Sequence, residues 1–324
     1  MQIQRRVLLA VALPLLWAPG RADAQRRLRV GILGIGAPDL SPHLLRAQRE
    51  GLRELGFVDG QNVTFEYRWA GGSSTSLPAL AAELAALPVD VIAVGTNVAI
   101  NAARQATSTI PIVMVVGCEP VRNGYIDSYA RPGRNITGLT NEADQAVNGK
   151  MLAILKEFVP KSTLVGVLMQ QGLGYDQTPL REAARVLQLG LYIAPEVRDP
   201  QDIAPACQAL RSAGVHACFV AGGPLIYAHR QHLAELELRH QLPSMHFSAD
   251  YVRAGGLVSY GTDLVAQYRR SAYFIARILN GAKPAELPVE QPARFEMAVN
   301  LATARSLGLN IPPSLLLRAD EVIQ

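Results

Sequence analysis

The sequence lacks a large excess of charge of either sign. Its 324 residues carry 31 Lys and Arg against 27 Asp and Glu, a formal net charge of +4. Arg5, Arg6 and Arg21 against Asp23 account for half of that excess, so the rest of the chain is close to neutral. This balance gives no reason to expect nucleic acid or an anionic membrane surface as a partner. With 49% hydrophobic residues, wholesale disorder is also excluded.

The apolar run near the start of the chain is too short for a permanent membrane anchor. Val7–Trp17 would not span a bilayer comfortably, but it follows Arg5 and Arg6 and precedes Ala22–Ala24, an A-x-A pattern typical of signal peptidase sites. We therefore predict a signal peptide at residues 1–24 and a mature chain exported to the periplasm. General secretion and twin-arginine export both remain open, and a short buried helix is the alternative interpretation.

Cysteine is scarce, with Cys118, Cys207 and Cys218 in the whole chain. An odd count in an exported protein permits one disulfide at most. Cys207 falls in a predicted helix and Cys218 in the following predicted strand, so the two could pair. Buried, unpaired thiols are the favoured interpretation.

Motifs for catalysis, cofactors and metals are missing. Gly31, Gly34 and Gly36 have the order G-x-x-G-x-G, which is not the dinucleotide spacing and is explained by a tight turn. The sequence has neither a P-loop nor a G-x-S-x-G elbow. His229 and His232 are three residues apart, but no carboxylate motif or cysteine pair supports a metal site. We predict a protein that is not an enzyme, without cofactor or metal.

Short apolar runs alternate with amphipathic stretches from Leu28 onward. The first set of predicted strands is Leu28–Leu33, Asn62–Arg68, Val89–Val94 and Pro111–Val116. The helices predicted between them are Ser41–Leu55, Leu77–Leu87 and Asn97–Ala106. Near-continuous apolar strands that alternate with helices are typical of a parallel sheet covered on both faces.

A second set of alternations follows the turn-rich segment Pro132–Asn135. It begins with a short extended piece at Ile136–Leu139. Its predicted helices are Gln145–Phe158, Thr178–Leu187, Gln201–Ala213 and Tyr227–His240, its predicted strands are Leu164–Met169, His216–Val220 and Leu257–Tyr260, and an apolar piece lies around Leu191–Ile193. A helix at Gln267–Leu279 and an extended Pro-rich segment at Lys283–Phe295 come last. The sequence therefore predicts the α/β class, with two doubly wound lobes joined by a hinge.

The predicted lobes are each assembled from two stretches of chain. Lobe 1 comprises residues 27–137 plus about 262–292, and lobe 2 comprises residues 138–261 plus about 293–324. The crossing segments Asn135–Asn141 and Tyr260–Asp263 are short and rich in small residues, as expected for a hinge.

Ligands of doubly wound sheets bind outside the carboxyl ends of the strands, in the crevice between the lobes. The residues predicted to face a ligand there are Gly36, Pro38, Asp39, Thr96, Asn97, Cys118, Glu119 and Pro120 from lobe 1, and Gln170, Gln171, Pro224, Leu225, Asp250, Tyr251 and Tyr260 from lobe 2.

Each predicted role has a structural alternative. Thr96 and Asn97 could bind a carboxylate or cap the helix that follows them. Glu119 or Asp250 could pair with an ammonium group, and Glu119 could equally be a solvated loop acid. Tyr251 or Tyr260 could cover the ligand or only pack within the protein.

Several long motifs resemble a known family. Gly51–Asn62 reads GLRELGFVDGQN and is similar to the GLRELGYVEGQN stretch of a large bacterial family of ABC-transporter substrate-binding proteins, the tryptophan-binding TrpX-like group. Further similar segments are Leu77–Leu84, Asn135–Leu139, Ala254–Gly261 and Ile311–Glu321. The resemblance implies a periplasmic-binding-protein-like (type I-like) fold, a monomer that closes on a small solute, and an ABC permease and ATPase in the inner membrane as partners.

The departures from the family pattern lie at positions predicted to face the ligand. Cys118–Val121 stands where the family has Gly-Asp-Pro-Val, Gln170 and Gln171 stand where it has Asn-Pro, and Gly223 and Pro224 stand where it has Asp-Pro. The resemblance therefore implies the fold more firmly than the ligand, which in some relatives is tryptophan or another aromatic amino acid. A periplasmic sensing module that docks on a membrane receptor is the alternative function, and an exported α/β hydrolase is less favoured.

Overall fold

Two separate sheets, each flanked by helices, form the framework of the chain. The computed structural model describes residues 27–37, 41–141 and 146–324. The predicted signal peptide at residues 1–24 and the predicted site residues Pro38 and Asp39 lie outside the described residues.

The first sheet has five strands, all parallel. Its elements in chain order are β1 Leu28–Gly34, α1 Pro42–Glu54, β2 Val63–Trp69, α2 Leu77–Ala86, β3 Val91–Val94, α3 Asn97–Ala106, β4 Ile112–Gly117 and β5 Ile136–Thr140. The strand order is β2-β1-β3-β4-β5. The chain first adds β2 on one side of β1 and then β3, β4 and β5 on the other side, so the switch point lies between β1 and β3. Ligands of open α/β sheets bind at such a switch point, beyond the carboxyl ends of the strands.

The second sheet has seven strands. The elements that follow β5 are α4 Ala146–Phe158, β6 Leu164–Met169, α5 Thr178–Val186, β7 Gly190–Ile193, α6 Ile203–Ser212, β8 Ala217–Gly222, α7 Pro224–Ala228, α8 Arg230–Arg239, β9 Ser244–His246, α9 Ala249–Arg253, β10 Val258–Gly261, α10 Leu264–Leu279, β11 Glu296–Asn300, α11 Leu301–Ser306, α12 Pro313–Leu316 and β12 Glu321–Ile323. The strand order is β12-β11-β10-β9-β8-β6-β7, and only the β10–β11 pair is antiparallel within the described residues.

Helix α10 belongs to the first sheet although it follows the second-sheet strand β10. It packs along α1, where a Cβ on Gly51 would come within 2.7 Å of the Arg269 carbonyl oxygen. Only glycine allows the two helices to approach so closely. Buried Gln48 of α1 also donates from Nε2 to Ser271 Oγ at 2.8 Å. We refer to the first sheet with its helices, α10 included, as lobe 1, and to the second sheet with its helices as lobe 2.

The chain passes between the lobes after β5, after β10 and before β11. Hydrogen bonds tie these three crossings together. The Thr140 N–H donates to the Glu290 carbonyl oxygen at 2.9 Å, and Gln267 Nε2 donates to the Thr140 carbonyl oxygen at 2.8 Å. Thr262 Oγ1 also donates to Asn141 Oδ1. The crossings therefore lie side by side, the arrangement needed for a shared hinge.

The predicted α/β class with two doubly wound lobes is confirmed. Three strands of the second sheet were not predicted from the sequence. β9 has three residues, too few for a periodicity, and β11 and β12 lie beyond the Pro-rich segment. The single helix predicted at Tyr227–His240 is two helices, α7 and α8, that meet at His229. The residue bounds of the two lobes as predicted from the sequence stay predictions.

Candidate functional site

A cleft of about 500 Å³ lies between the two lobes. It is bordered by the loops that follow β3 and β4 in lobe 1 and by those that follow β6, β8 and β10 in lobe 2. This volume is typical of sites for small molecules. The polar, charged and aromatic side chains of its lining include Thr96, Asn97, Cys118, Glu119, Arg122, Tyr175, Asp176, Tyr227, Phe247, Tyr260, Tyr268 and Phe295.

The lobe 1 wall is built on the N-terminus of α3. The Thr96 hydroxyl accepts a hydrogen bond from the Ala99 N–H at 3.4 Å and caps the helix. The Asn97 side chain positions the loop after β4, because its Nδ2 donates to the Cys118 carbonyl oxygen at 3.0 Å and its Oδ1 accepts from the Cys118 N–H at 2.9 Å. Thr96 and Asn97 thus both line the cleft and serve the structure.

Aromatic side chains are concentrated in the cleft. The sequence holds 2 Trp, 10 Tyr and 7 Phe residues, and six of these line the cleft, namely Tyr175, Tyr227, Phe247, Tyr260, Tyr268 and Phe295. Tyr260 stacks on Phe295, with 5.6 Å between ring centroids and 20° between ring planes. Such side chains offer large apolar contact areas with a preferred stacking geometry. The cleft is therefore suited to a planar, apolar ligand group.

An ion-pair network joins the two lobes at the cleft. Arg122 of lobe 1 donates from Nη1 to both carboxylate oxygens of Glu119 at 3.1 Å and from Nη2 to Asp176 of lobe 2 at 2.9 Å. A hydrogen bond from the Thr178 N–H, joined by the Arg122 guanidinium, lowers the pKa of Asp176. Asp176 is consequently ionised at neutral pH, and Arg122 is shared by two carboxylates.

A second contact between the lobes involves α1 and α7. His43 Nε2 lies 2.9 Å from the Tyr227 hydroxyl, which itself donates to Asp250. Burial and the bond to Asp250 raise the pKa of Tyr227 above its ordinary value. Arg253 also donates to Asp250, at 3.0 Å. Leu173 of lobe 2 packs against the apolar cluster under the first sheet. The lobes are thus in contact through α1 and α7 as well as through Arg122 and Asp176.

Seven predicted site residues lie at the cleft or beside it. Thr96, Asn97, Cys118, Glu119, Pro224 and Tyr260 line the cleft itself. Gly36 lines an adjoining cavity of about 100 Å³, which shares Thr96 and Pro224 with the cleft.

Six other predicted site residues do not line the cleft. Leu225 and Tyr251 are buried in the lobe 2 core, where Tyr251 stacks on His246 at 4.6 Å between ring centroids. The side chain of buried Gln170 accepts a hydrogen bond from the Leu225 N–H at 2.9 Å and so supports the start of α7. Pro120 is buried, Gln171 is exposed away from the cleft, and Asp250 is held by Tyr227 and Arg253. The ligand site proposed below leaves these six residues out.

Several cleft residues were not found from the sequence. Tyr175 and Asp176 lie in the loop between β6 and α5, so the rule that sites lie beyond strand ends could have found them. Arg122 lies in the loop after β4, where the same rule applies. Tyr268 and Phe295 carried no such signal, because they reach the cleft on a helix and a crossing segment.

Cys207 and Cys218 are buried thiols that form no disulfide. Burial, with a smaller effect of the Glu237 carboxylate, raises the pKa of Cys207 to about 12. The same two causes raise the pKa of Cys218 well above its ordinary value. Cys118 differs, because it is half-exposed in the cleft lining.

Iodoacetamide near pH 8 is expected to label Cys118 alone in the folded protein, because buried thiols with raised pKa values form little of the reactive thiolate. Mass spectrometry of the intact protein should show one adduct under native conditions and three in denaturant. Peptide mapping that finds Cys207 or Cys218 labelled as fast as Cys118 would contradict the burial described here.

The described residues hold neither a candidate metal cluster nor a membrane-spanning helix. These residues include no cluster of three or more His, Cys, Asp or Glu side chains placed to hold a metal ion. In residues 27–37, 41–141 and 146–324, no helix combines the length and apolar character needed to span a membrane.

Comparisons with known proteins agree on one family and one fold. The sequence profile of the family described as ABC transporter substrate binding protein matches residues 44–323. A curated relative, the "Tyrosine-binding protein" of Clostridioides difficile (strain R20291), is 21% identical over 300 residues, which cover 89% of this chain and 83% of that protein. A conserved domain protein from Vibrio cholerae O1 biovar El Tor N16961 has a solved structure with a TM-score of 0.82 and 23% identity, covering 92% of this chain and 100% of that one. An ABC domain in complex with L-Trp from Streptococcus pneumoniae has a TM-score of 0.80 at 23% identity, with the same coverage.

Proposed function

The chain belongs to the ABC transporter substrate binding protein family, and from this premise we propose that it binds an aromatic amino acid and delivers it to an ABC importer. The observation that carries the proposal is the cleft of about 500 Å³ between the lobes, lined by six aromatic side chains. A cleft of this size accommodates one amino acid with its ordered water.

The relatives support an aromatic ligand. One is named for tyrosine binding, and another was solved in complex with L-Trp. Both ligands combine a planar ring with a charged amino acid head group. The aromatic lining of this cleft complements such a ring, and the polar residues around it offer partners for the head group.

We propose one orientation of the ligand in the cleft. The carboxylate is placed at the N-terminus of α3, where the Asn97 N–H and the Thr96 hydroxyl are donors, since helix N-termini favour anions. The ammonium group is placed beside Glu119 and Asp176. The ring is placed against Tyr260 and Phe295, which already stack on one another.

The proposed mechanism is closure of the lobes about the three crossings. Contacts such as Arg122–Asp176 and His43–Tyr227 join residues of different lobes and would break if the lobes separated. A ligand held by both lobes stabilises the closed arrangement because it loses half of its contacts on opening.

The remaining parts of the proposal concern location and partners. The signal pattern at residues 1–24 and the family both support export to the periplasm. There the protein acts as a monomer and hands its ligand to a permease and ATPase in the inner membrane.

Aromatic amino acids are expected to raise the melting temperature of the purified protein. A ligand present at about 100 times its Kd stabilises the folded protein by about 2.7 kcal/mol. For a protein of this size, that free energy raises the melting temperature by several degrees. A thermal-shift screen with tyrosine, tryptophan and phenylalanine, followed by calorimetric titration, measures the effect. Leucine and glucose are the controls. If no aromatic amino acid shifts the melting temperature, the proposed function is contradicted.

A further inference from the structure

We infer that the cleft selects its ligand by a cationic amine and does not require a carboxylate, so that aromatic primary amines bind and the corresponding deaminated acids do not. The inference rests on the proposed function, since it concerns the same cleft and an aromatic ligand. It follows from the charges of the cleft, from the bonds of Arg122 and from the aromatic walls.

The charged side chains among the described residues that line the cleft sum to one net negative charge. Among the described residues that line it, Arg122 is the only cation, and Glu119 and Asp176 are the acids. This lining includes no Lys and no His side chain. A cationic ligand is therefore attracted by the cleft as a whole, and an anionic ligand is repelled.

Arg122 does not offer a ready partner for a ligand carboxylate. Its Nη1 donates to both oxygens of Glu119 and its Nη2 donates to Asp176. The charge of Arg122 is thus already shared by two carboxylates, and a ligand carboxylate on its remaining N–H groups would lie close to Glu119 and Asp176 and be repelled by both. The ligand carboxylate is left with neutral donors at the start of α3, which bind an anion less strongly than a guanidinium does.

The aromatic walls act in the same direction as the charges. The face of an aromatic ring carries partial negative charge, so it attracts an ammonium group and repels a carboxylate. Tyr260 and Phe295 present such rings to the cleft. An ammonium group beside Glu119 and Asp176, within this aromatic lining, is favoured by both effects, and a carboxylate in the same place is disfavoured by both.

Three ligands that share one ring separate these contributions. Tyramine has the amine alone, tyrosine has both groups, and 3-(4-hydroxyphenyl)propionate has the carboxylate alone. Calorimetric titration is expected to show tyramine within about tenfold of tyrosine, and the acid at least about a hundredfold weaker than tyramine, because the two differ by two unit charges. An acid that binds as tightly as tyramine overturns the inference.

Two substitutions test whether the named charges set this selectivity. Asp176→Asn brings the cleft to neutrality and is expected to lower the tyramine-to-acid affinity ratio about fivefold, whereas Arg122→Gln makes it more negative and should raise the ratio by a similar factor. Both variants remove the same contact between the lobes, so an effect on closure would change all affinities in one direction. Opposite changes in the ratio therefore report charge.

The surface pair of Arg134 and Asp127 provides matched controls. Arg134 Nε lies 3.1 Å from Asp127 Oδ1, and the Arg134 side chain is 54% exposed, compared with 55% for the Arg122 side chain. Neither residue lines the cleft. Arg134→Gln and Asp127→Asn repeat the two charge changes and should leave the ratio unchanged; a ratio that shifts as far in them as in the cleft variants overturns the role of Arg122 and Asp176. If another aromatic amino acid binds in place of tyrosine, its amine and acid analogues are compared in the same way. If no aromatic amino acid binds the unmodified protein, the proposed function itself fails, whereas equal binding of amine and acid removes only the selectivity.

Discussion

Tyr260→Ala is expected to weaken the binding of an aromatic amino acid by about 30- to 100-fold, the effect typical of an aromatic hot-spot residue. The Tyr260 ring lines the cleft and stacks on Phe295 with 5.6 Å between centroids. Truncation removes the surface against which the ligand ring packs and leaves Phe295 without its stacking neighbour. Calorimetric titration with tyrosine and tryptophan measures the loss.

Two variants keep this result interpretable. Tyr260→Phe retains the ring and should stay within about threefold of the unmodified protein, since only a hydroxyl is lost. Tyr192→Ala removes a partly buried tyrosine of the same lobe that does not line the cleft, and it should leave affinity unchanged. A Tyr260→Ala protein that binds like the Tyr192→Ala protein would place the ligand ring elsewhere.

Glu237→Ala is expected to lower the free energy of unfolding by about 3–5 kcal/mol, as the loss of one partner from a buried polar cluster does. Glu237 and His246 are 3% and 1% exposed, with 3.2 Å between Oε2 and Nε2. Ser244 Oγ donates to the same Glu237 oxygen at 2.7 Å. Without Glu237, His246 and Ser244 lose a buried partner that water cannot replace.

Urea unfolding followed by circular dichroism measures this difference, and α8 itself supplies the control. Glu235 lies two residues away on the same helix, is 58% exposed, and is 3.9 Å from His232. Glu235→Ala should change the free energy of unfolding by about 0.5 kcal/mol or less. Glu237→Gln, which retains an oxygen acceptor for Ser244, is expected to fall between the two. Equal unfolding midpoints for Glu237→Ala and Glu235→Ala would show that the buried cluster contributes little to stability.

Hydrophobic periodicity located the main elements well. α3 and β6 have the predicted bounds, because a sharp change in polarity or a capping residue marks each end. β9 was missed because three residues, Ser244–His246, show no alternation. Pairing with β8 and β10 makes this segment a strand, and such long-range partners are not encoded locally.

The candidate site shows the same limit. Position after a parallel strand predicts the edge of the sheet at which a residue lies, and Thr96 and Glu119 do lie at the cleft. It does not predict the direction of the side chain, which is why Tyr251, on the inward face of α9, is in the core. Phe295 reaches the cleft only because the chain crosses back to lobe 2, and no local pattern in the sequence reports that path.

The position of α10 has a consequence for how the chain folds as it is made. α1 ends at Glu54 and its packing partner begins at Leu264, about 210 residues later. At a synthesis rate of about 5–20 residues per second, the apolar stripe of α1 waits roughly 10–40 s for the helix that covers it. This high contact order means that lobe 1 cannot finish its core until most of lobe 2 has left the ribosome. A chaperone that shields Leu44 and Leu52 during this interval would prevent the aggregation that the order of elements along the chain otherwise invites.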